Sequence, residues 1–299
     1  MIKVSVVILT WNSQDMVDAC VSSLASGLAL SPFEVIVVDN GSRDDTLAVV
    51  RSRHPEVRVL SNPSNRGVAP ARNQGMRVAC GEYVILLDDD TVVHAGAFDQ
   101  LVAYMDAHAD VGLCGPQLVD LDGSCQLSCR LFPTLPYKLL RRVPFSFARA
   151  LMRKVEMADW DHATVRDVDY VIGACQAIRR SALAQIGLLD ERIFYGPEDV
   201  DVCLRLQQAG WRVVYHPDAV VEHHERRMTR SALSSFSFLG RQHLRGLLYY
   251  FWKHGYWLSR RRLYARLPAQ SAGYSATSPA AVGAPEVLHH DSLPVEAKS

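Results

Sequence analysis

The chain has 299 residues and a mass of 33.3 kDa. Apolar residues make up 48% and charged residues 21%, enough for a large core, which excludes global disorder. The 32 basic and 32 acidic residues cancel, which excludes a uniformly basic binder, and no nucleic-acid partner is expected. The balance is uneven, however. Residues 1–225 carry a net −8, residues 226–266 hold 10 Lys/Arg and no acid, and residues 267–299 net −2. This divides the chain into an acidic body, a basic appendage and a tail rich in Ala, Ser, Pro and Gly that reads as disordered. Seven cysteines with no CxxC pair point to buried free thiols in a reducing compartment rather than a zinc site or disulfide framework. The opening apolar run, 4–9, is too short for a signal segment, and no window of about 18 clean apolar residues suggests a membrane span. A cytoplasmic location is expected.

Residues 4–9 are a β-branched run suited to a buried strand. Met16, Val17, Cys20, Val21 and Leu24 then share a helical face. Residues 34–38 predict a second strand, ending in the turn-rich Asp39-Asn40-Gly41-Ser42, with Asp44 placed to cap a helix over 45–52. Further strands are predicted at 57–60, 83–87 and 111–114, with helices at 70–80 and 96–108. The order is less regular over 117–167. A strand is expected at 168–178, a short helix at 181–186, a helix at 197–208, and strands at 212–215 and 219–222. Alternation of strands with helices implies an α/β, doubly wound, mostly parallel sheet, whose ligands lie beyond the carboxyl ends of the strands.

The first strand ends in Thr10-Trp11-Asn12 and is followed by neither GxGxxG nor GxxxxGK[ST], which argues against a dinucleotide dehydrogenase and a P-loop NTPase. The fourth strand stops at Asp88-Asp89-Asp90. Three adjacent carboxylates repel one another, and a hard divalent cation would relieve them; a solvated turn with capping acids is the alternative. Asp39 at a strand end suits a ribose or base contact, or simply a turn. Asn65, Gly67, Arg72 and Asn73 flank a helix start that could receive phosphate, or are ordinary solvated residues. Glu198-Asp199 opens a helix whose dipole favours an anion; Asp199 can serve there as a general base or merely as a first-turn acid. His223-His224 follows the last apolar strand and offers a metal ligand, or plain surface.

Taken in order, VVILTWN, VVDNGSRDDT, NRGVAPARNQGM, GEYVILLDDDT, the segment from Gly173 to Trp211 with its GPEDVDVC core, and VVYHPDAVVEHH resemble the inverting family 2 glycosyltransferases of the GT-A fold. The resemblance covers roughly residues 3–225 and continues more weakly to about 255. It implies a Rossmann-like catalytic domain over 1–225 followed by a helical appendage over 226–266. It also implies nucleotide-sugar contacts at Thr10, Trp11, Asn12, Asp39, Asn40, Ser42, Asn65, Gly67, Arg72, Asn73, Asp88, Asp89, Gly173 and Glu198. The family's DxD motif falls on Asp88 and Asp90, its late histidine on His223, and its catalytic base on Asp199. Mg2+ or Mn2+ is the implied cofactor.

A finer resemblance, to bacterial rhamnosyltransferases acting on polyprenyl-diphosphate-linked sugars, rests on Cys114-Gly115-Pro116, on Asp120 to Ser124, on RLFPTL from Arg130, on Gly187 to Glu191 and on His216-Pro217. Glu225-Arg226-Arg227 departs from many relatives. The implied donor is dTDP-rhamnose, then a UDP-sugar such as UDP-galactofuranose or UDP-glucose, and the implied acceptor is a glycan or polyprenyl-linked saccharide of the cell surface. A non-catalytic sugar-nucleotide-binding module and a nucleotidyltransferase are the readings from other classes. On the appendage, Phe236, Leu239, Leu247, Tyr250, Phe251, Trp257 and Leu258 cluster on one helical arc, and Arg241, Arg245, Lys253 and Arg260 on another. A basic face beside an aromatic one suits an anionic membrane at the inner face of the cell membrane; the alternative is a helix packed on the catalytic domain or on a second subunit in a homodimer. Gly240, Gly246 and Gly255 weaken a single long helix.

Overall fold

The computed structural model describes residues 2–140, 152–224 and 238–268. Its strands are β1 (Val4–Thr10), β2 (Phe33–Asp39), β3 (Arg58–Ser61), β4 (Tyr83–Asp88), β5 (Thr91–Val93), β6 (Val111–Val119), β7 (Cys125–Gln126), β8 (Cys129–Arg130), β9 (Arg166–Asp167), β10 (Tyr170–Val171), β11 (Cys175–Arg179) and β12 (Arg212–His223). The helices are α1 (Val17–Gly27), α2 (Thr46–Arg53), α3 (Val68–Val78), α4 (Ala97–Ala107), α5 (Leu135–Leu140), α6 (Arg180–Ile186), α7 (Glu198–Gln208), α8 (Phe238–His254) and α9 (Arg261–Tyr264). The main sheet runs β3-β2-β1-β4-β11-β6-β12-β5, with β7 on β6 and β9 on β12, while β8 and β10 form a separate ribbon.

Period-two alternation explains why the sheet is buried on both faces. Val4, Val6 and Ile8 of β1, with Tyr83, Ile85 and Leu87 of β4, face a core shared with Val17, Cys20 and Leu24 of α1 and Phe98 and Leu101 of α4. Val7, Val84 and Leu86 point the other way, into a core shared with α3 and α7. Each such Val, Leu or Ile contributes roughly 1.5–3 kcal/mol by leaving water.

β1, β2, β3 and β4 are parallel, and so are β6 and β12. β11 lies antiparallel to both β4 and β6, so β1, β2, β3, β4, β6 and β12 all point one way. Their carboxyl ends gather at one edge.

Several local expectations are corrected. The run 168–178 is not one strand: it breaks at Ile172-Gly173-Ala174 into β10 and β11, where the Ile172 amide donates to the Ser128 carbonyl at 2.8 Å. The two predicted strands at 212–215 and 219–222 are one strand, β12, with a register shift between His216 and Val220. The irregular stretch 117–167 contains the two-residue strands β7, β8 and β9. Five cysteines are buried and Cys80 and Cys125 are exposed, all as free thiols.

The appendage differs most. α8 runs through Gly240 and Gly246 and ends at His254, so Trp257 and Leu258 lie beyond it. Leu247, Tyr250 and Phe251, which suited either a membrane face or packing on the catalytic domain, are buried in the same core as Val200 and Leu204 of α7, with Tyr256 and Leu263. The physical reason is charge. Asp201 on α7 is wholly buried and accepts from Lys253 at 2.7 Å and His254 at 2.8 Å, and this clamps the aromatic side inward. Lys253 therefore belongs to the packed side, not to a solvent-facing basic arc. Arg260 likewise donates to the Phe132 carbonyl. Phe236, the Glu225-Arg226-Arg227 departure and the tail from 269 onward lie outside the described residues. No helix among the described residues is long and apolar enough to cross a membrane.

Candidate active site

The ends of β1, β2, β4 and β12 deliver Thr10, Asp39, Asp88 and His223 to one edge of the sheet. A cavity of about 360 Å3 opens there, lined by Trp11, Asn12, Asn40, Asn65, Gly67, Asp88, Asp89 and Asp90, together with Leu9, Val68, Phe194, Tyr195 and Leu239. Eight of the residues singled out in the sequence thus share one cavity.

Others shape it from behind. The Thr10 carbonyl accepts from the Asn40 amide at 2.8 Å. Asp39 is buried and accepts from Ser42 N at 3.1 Å and Ser61 Oγ at 3.2 Å, which holds the turn. Ser42 Oγ in turn accepts from Asn12 N at 2.9 Å. Asn40 donates to Asn65 Oδ1 and the Gly67 carbonyl, and accepts from Arg66 N, so one buried amide fixes the 65–67 loop. Gly67 has φ +93°, and a Cβ there would lie 2.6 Å from the Phe194 carbonyl. That close approach lets Val68 N donate to the same carbonyl at 2.7 Å. Asn73 stays outside the cavity: its amide is spent on Leu189 and Glu191, fastening α3 to the segment that precedes α7.

The three acids of the Asp88-Asp89-Asp90 run take three environments. Asp88 Oδ1 accepts from Arg72 Nη2, and the same Nη2 donates to the Gly173 carbonyl at 2.8 Å. Arg72 is 2% exposed and Asp88 36%. Asp89 accepts from the Trp11 amide at 3.2 Å; burial, then the charges of Asp90 and Asp88, push its carboxyl up to about 6. Asp90 is buried, with Oδ1 3.6 Å from His223 Nε2.

Asp88, Asp90 and His223 each place one ligand atom within 4.8 Å of the others, the one such grouping among the described residues. The imidazole is aimed. Gln126 Nε2 donates to Asp120 Oδ1 at 2.6 Å and to the His223 carbonyl at 2.7 Å, so Gln126 Oε1, 2.8 Å from His223 Nδ1, is an acceptor. Nδ1 therefore carries a proton, and Nε2 is the ring nitrogen that faces Asp90. His224, one residue on, turns to Glu222. Two carboxylates and one imidazole fit a divalent cation.

Arg72 also joins this cluster to α7. Gly173, whose carbonyl holds Arg72, donates its amide to Asp199 Oδ2 at 3.2 Å. A Cβ at Gly173 would sit 3.0 Å from Arg72 Nη1 and 3.6 Å from Asp199 Cβ, so a side chain would crowd both groups. Burial raises the Asp199 carboxyl above its ordinary range, opposed by the Val200 amide and the cations Lys138 and Arg130. Glu198 beside it is buried and is also raised, by desolvation and then by Asp199, with Arg72 opposing. Neither acid lines the cavity.

Three contributors carry no signal in the sequence: Gln126, Phe194 and Tyr195. Leu239, expected on the aromatic arc of the appendage, lines the cavity instead. Phe194 meets Phe238 edge-on at 5.5 Å, so the amino end of α8 reaches the cavity.

The sequence model described as "Glycosyl transferase family 2" matches residues 5–187. The chain is 34% identical over 211 residues to the N-acetylglucosaminyl-diphospho-decaprenol L-rhamnosyltransferase of Mycobacterium tuberculosis, covering 66% of this chain and 68% of that protein. It is 32% identical over 227 residues to the pre-mycofactocin glycosyltransferase of the same organism, covering 72% of this chain and 44% of that one. Among solved structures, the mannosyltransferase PcManGT from Pyrobaculum calidifontis, in complex with GDP-Man and Mn2+, superposes with a TM-score of 0.56 at 22% identity, over 84% of this chain and 63% of its own. GalNAc-T7 with UDP, GalNAc and Mn2+ gives 0.57 at 21% identity, over 76% and 44%. The fold is that of the GT-A glycosyltransferases. With the family match spanning more than half its length, the chain belongs to glycosyl transferase family 2.

Proposed function

We propose that the protein is an inverting, metal-dependent glycosyltransferase that moves rhamnose from dTDP-rhamnose to a hydroxyl of a polyprenyl-diphosphate-linked saccharide, in the synthesis of a cell-surface polysaccharide. The observation that carries this reading is the convergence of Asp88, Asp90 and His223, linked to Asp199 through Arg72 and Gly173. The rhamnose donor and the lipid-linked acceptor are supported by the name of the mycobacterial relative. The nucleoside diphosphate and Mn2+ are supported by the contents of the two solved structures.

In this reading Trp11, Asn12, Asn40 and Asn65 receive the nucleoside, as the cavity they line allows. Asp88, Asp90 and His223 would hold Mg2+ or Mn2+, which supplies positive charge to the departing diphosphate. Asp199 accepts the proton of the acceptor hydroxyl. The oxygen then bonds to the anomeric carbon from the side opposite the diphosphate, the carbon–oxygen bond to the diphosphate breaks, and configuration inverts. A base with a carboxyl raised by burial holds that proton more readily than an exposed aspartate. Arg72 pairs with Asp88 and orients it.

A donor panel of dTDP-rhamnose, UDP-glucose and UDP-galactofuranose with Mn2+ or Mg2+, read as release of nucleoside diphosphate, tests the substrate. Asp199→Asn should lower turnover by about 10²- to 10⁴-fold with donor binding kept, and Asp90→Ala should abolish metal-dependent donor binding in calorimetry. Wild-type turnover in the first variant, or unchanged affinity in the second, would overturn the assignment of roles. Turnover with a UDP-sugar alone would overturn the donor.

A further inference from the structure

α8 presents two unlike faces. Gly246, Leu247, Tyr250, Phe251 and His254 are buried against the catalytic domain. At 100° per residue the solvent side gathers Phe238, Arg241, Leu244, Arg245, Leu248 and Trp252 into an arc roughly 120° wide. Its apolar members are strongly exposed, Leu244 at 55% and Trp252 at 70%. That arc holds four large apolar side chains, two exposed arginines and no acid. Just past the helix, Trp257 and Leu258 are exposed at 37% and 73%, with Arg261 and Arg262 exposed beside them. A contiguous apolar strip of this size on a water-facing helix marks a contact surface.

Charge selects the occupant. The 226–266 segment carries 10 Lys/Arg and no Asp/Glu, whereas residues 1–225 net −8. An anionic sheet of headgroups attracts the first and repels the second, which orients the molecule with α8 down. A second copy in a two-fold contact through this arc would instead set Arg241 and Arg245 against their own images, repelling where a lipid surface attracts. Apolar side chains interleaved with arginines, with tryptophans at the border, suit a helix lying in the headgroup region.

We propose that the solvent face of α8, continued by Trp257 and Leu258, docks the protein onto an anionic lipid bilayer. The docking face is the opposite arc from the aromatic one that packs inward. It does not depend on which sugar is transferred. It sets the cavity beside the bilayer, because Leu239 on the same helix lines that cavity and Lys253 and His254 tie α8 to the helix bearing Asp199.

The test is co-sedimentation of the full chain with phosphatidylglycerol/phosphatidylcholine vesicles and with phosphatidylcholine alone, at low and high salt. Binding is expected to the anionic vesicles only, weakened about tenfold or more in high salt. Leu244→Ser with Leu248→Ser and Trp252→Ser should weaken it about tenfold or more, as should Arg241→Glu with Arg245→Glu, while thermal unfolding of both variants stays at the wild-type midpoint. No binding to anionic vesicles, or binding that neither variant alters, overturns the proposal. So does a dimer in analytical ultracentrifugation that the same apolar substitutions disperse, since a second copy then covers the face.

Discussion

Asp201→Asn probes the junction between α8 and the helix that carries the proposed base. The wild-type carboxylate is 0% exposed, yet it accepts from Lys253 Nζ at 2.7 Å, His254 Nε2 at 2.8 Å and Arg205 Nε at 2.8 Å. Burial alone would raise its pKa. The bond from His254 and the charges of Arg205 and Lys253 outweigh burial and bring the group to about 2 from an ordinary 3.8. A depression of nearly two units corresponds to about 2 kcal/mol of folded-state stabilisation. Removing one partner of a buried ion pair costs about 3–5 kcal/mol when the remaining charge is left alone. Here Lys253 keeps Asp190 at 2.8 Å and Arg205 keeps the Ile186 and Leu188 carbonyls, so a loss of about 2–3 kcal/mol at pH 7 is expected.

The pH dependence carries the signature. A carboxyl whose folded pKa is depressed contributes stability that is fully present above its unfolded pKa, near 4, and is lost as pH falls through the folded value near 2. The gap between wild type and variant in urea unfolding should therefore be constant from pH 7 to about pH 5 and should shrink to about half near pH 3. A gap under about 0.5 kcal/mol at pH 7, or one equally large at pH 3, would refute the reasoning.

Two further outcomes bear on the site. Arg130 holds the Asp199 carboxyl down against burial, so Arg130→Gln should raise that pKa; because the deprotonated base is the active form, the acid limb of the kcat profile should move to higher pH, and an unmoved limb would show that Arg130 does not act on Asp199. Gln126→Ala removes the acceptor that fixes the His223 tautomer, and should weaken the Mn2+ dependence of donor binding about 10- to 100-fold in a metal titration; an unchanged titration would separate His223 from the metal.

The long strands were legible because their apolar periodicity is set by two buried faces. Val4 to Leu9 and Tyr83 to Leu87 have few polar interruptions, and the polar clusters Thr10-Trp11-Asn12 and Asp88-Asp89-Asp90 mark their ends. Strand direction was not legible for β11, since a period-two pattern reads the same forwards and backwards. The break at Gly173 was hidden for a different reason: it serves Arg72 and Asp199, which approach from 101 residues upstream and 26 downstream. Gln126 acts on His223 across 97 residues, and its flanking residues carry no trace of that contact. The sequence left the orientation of the appendage open, because both faces of α8 are apolar and both hold cations; the bonds of Asp190 and Asp201 to Tyr249, Lys253 and His254 mark the side that turns inward.

The crowding of Asp88, Asp89 and Asp90 is the sequence argument for a cation, and the structure changes its force. Asp88 is neutralised by a buried guanidinium. Asp89 is tucked against the Trp11 amide with a pKa near 6, so part of its charge is relieved by a proton in mildly acidic solution. The repulsion that three neighbouring carboxylates imply is thus met in part by the protein itself, through Arg72 at Asp88. What still asks for one is narrower. His223 is held by Gln126 through Nδ1, which leaves Nε2 facing an Asp90 oxygen at 3.6 Å. That spacing suits a cation coordinated by both groups, or a proton between them. The two outcomes separate cleanly: Mn2+ should broaden the ring-proton signals of His223 beyond detection if the ion joins the pair, and should leave them unchanged if it does not.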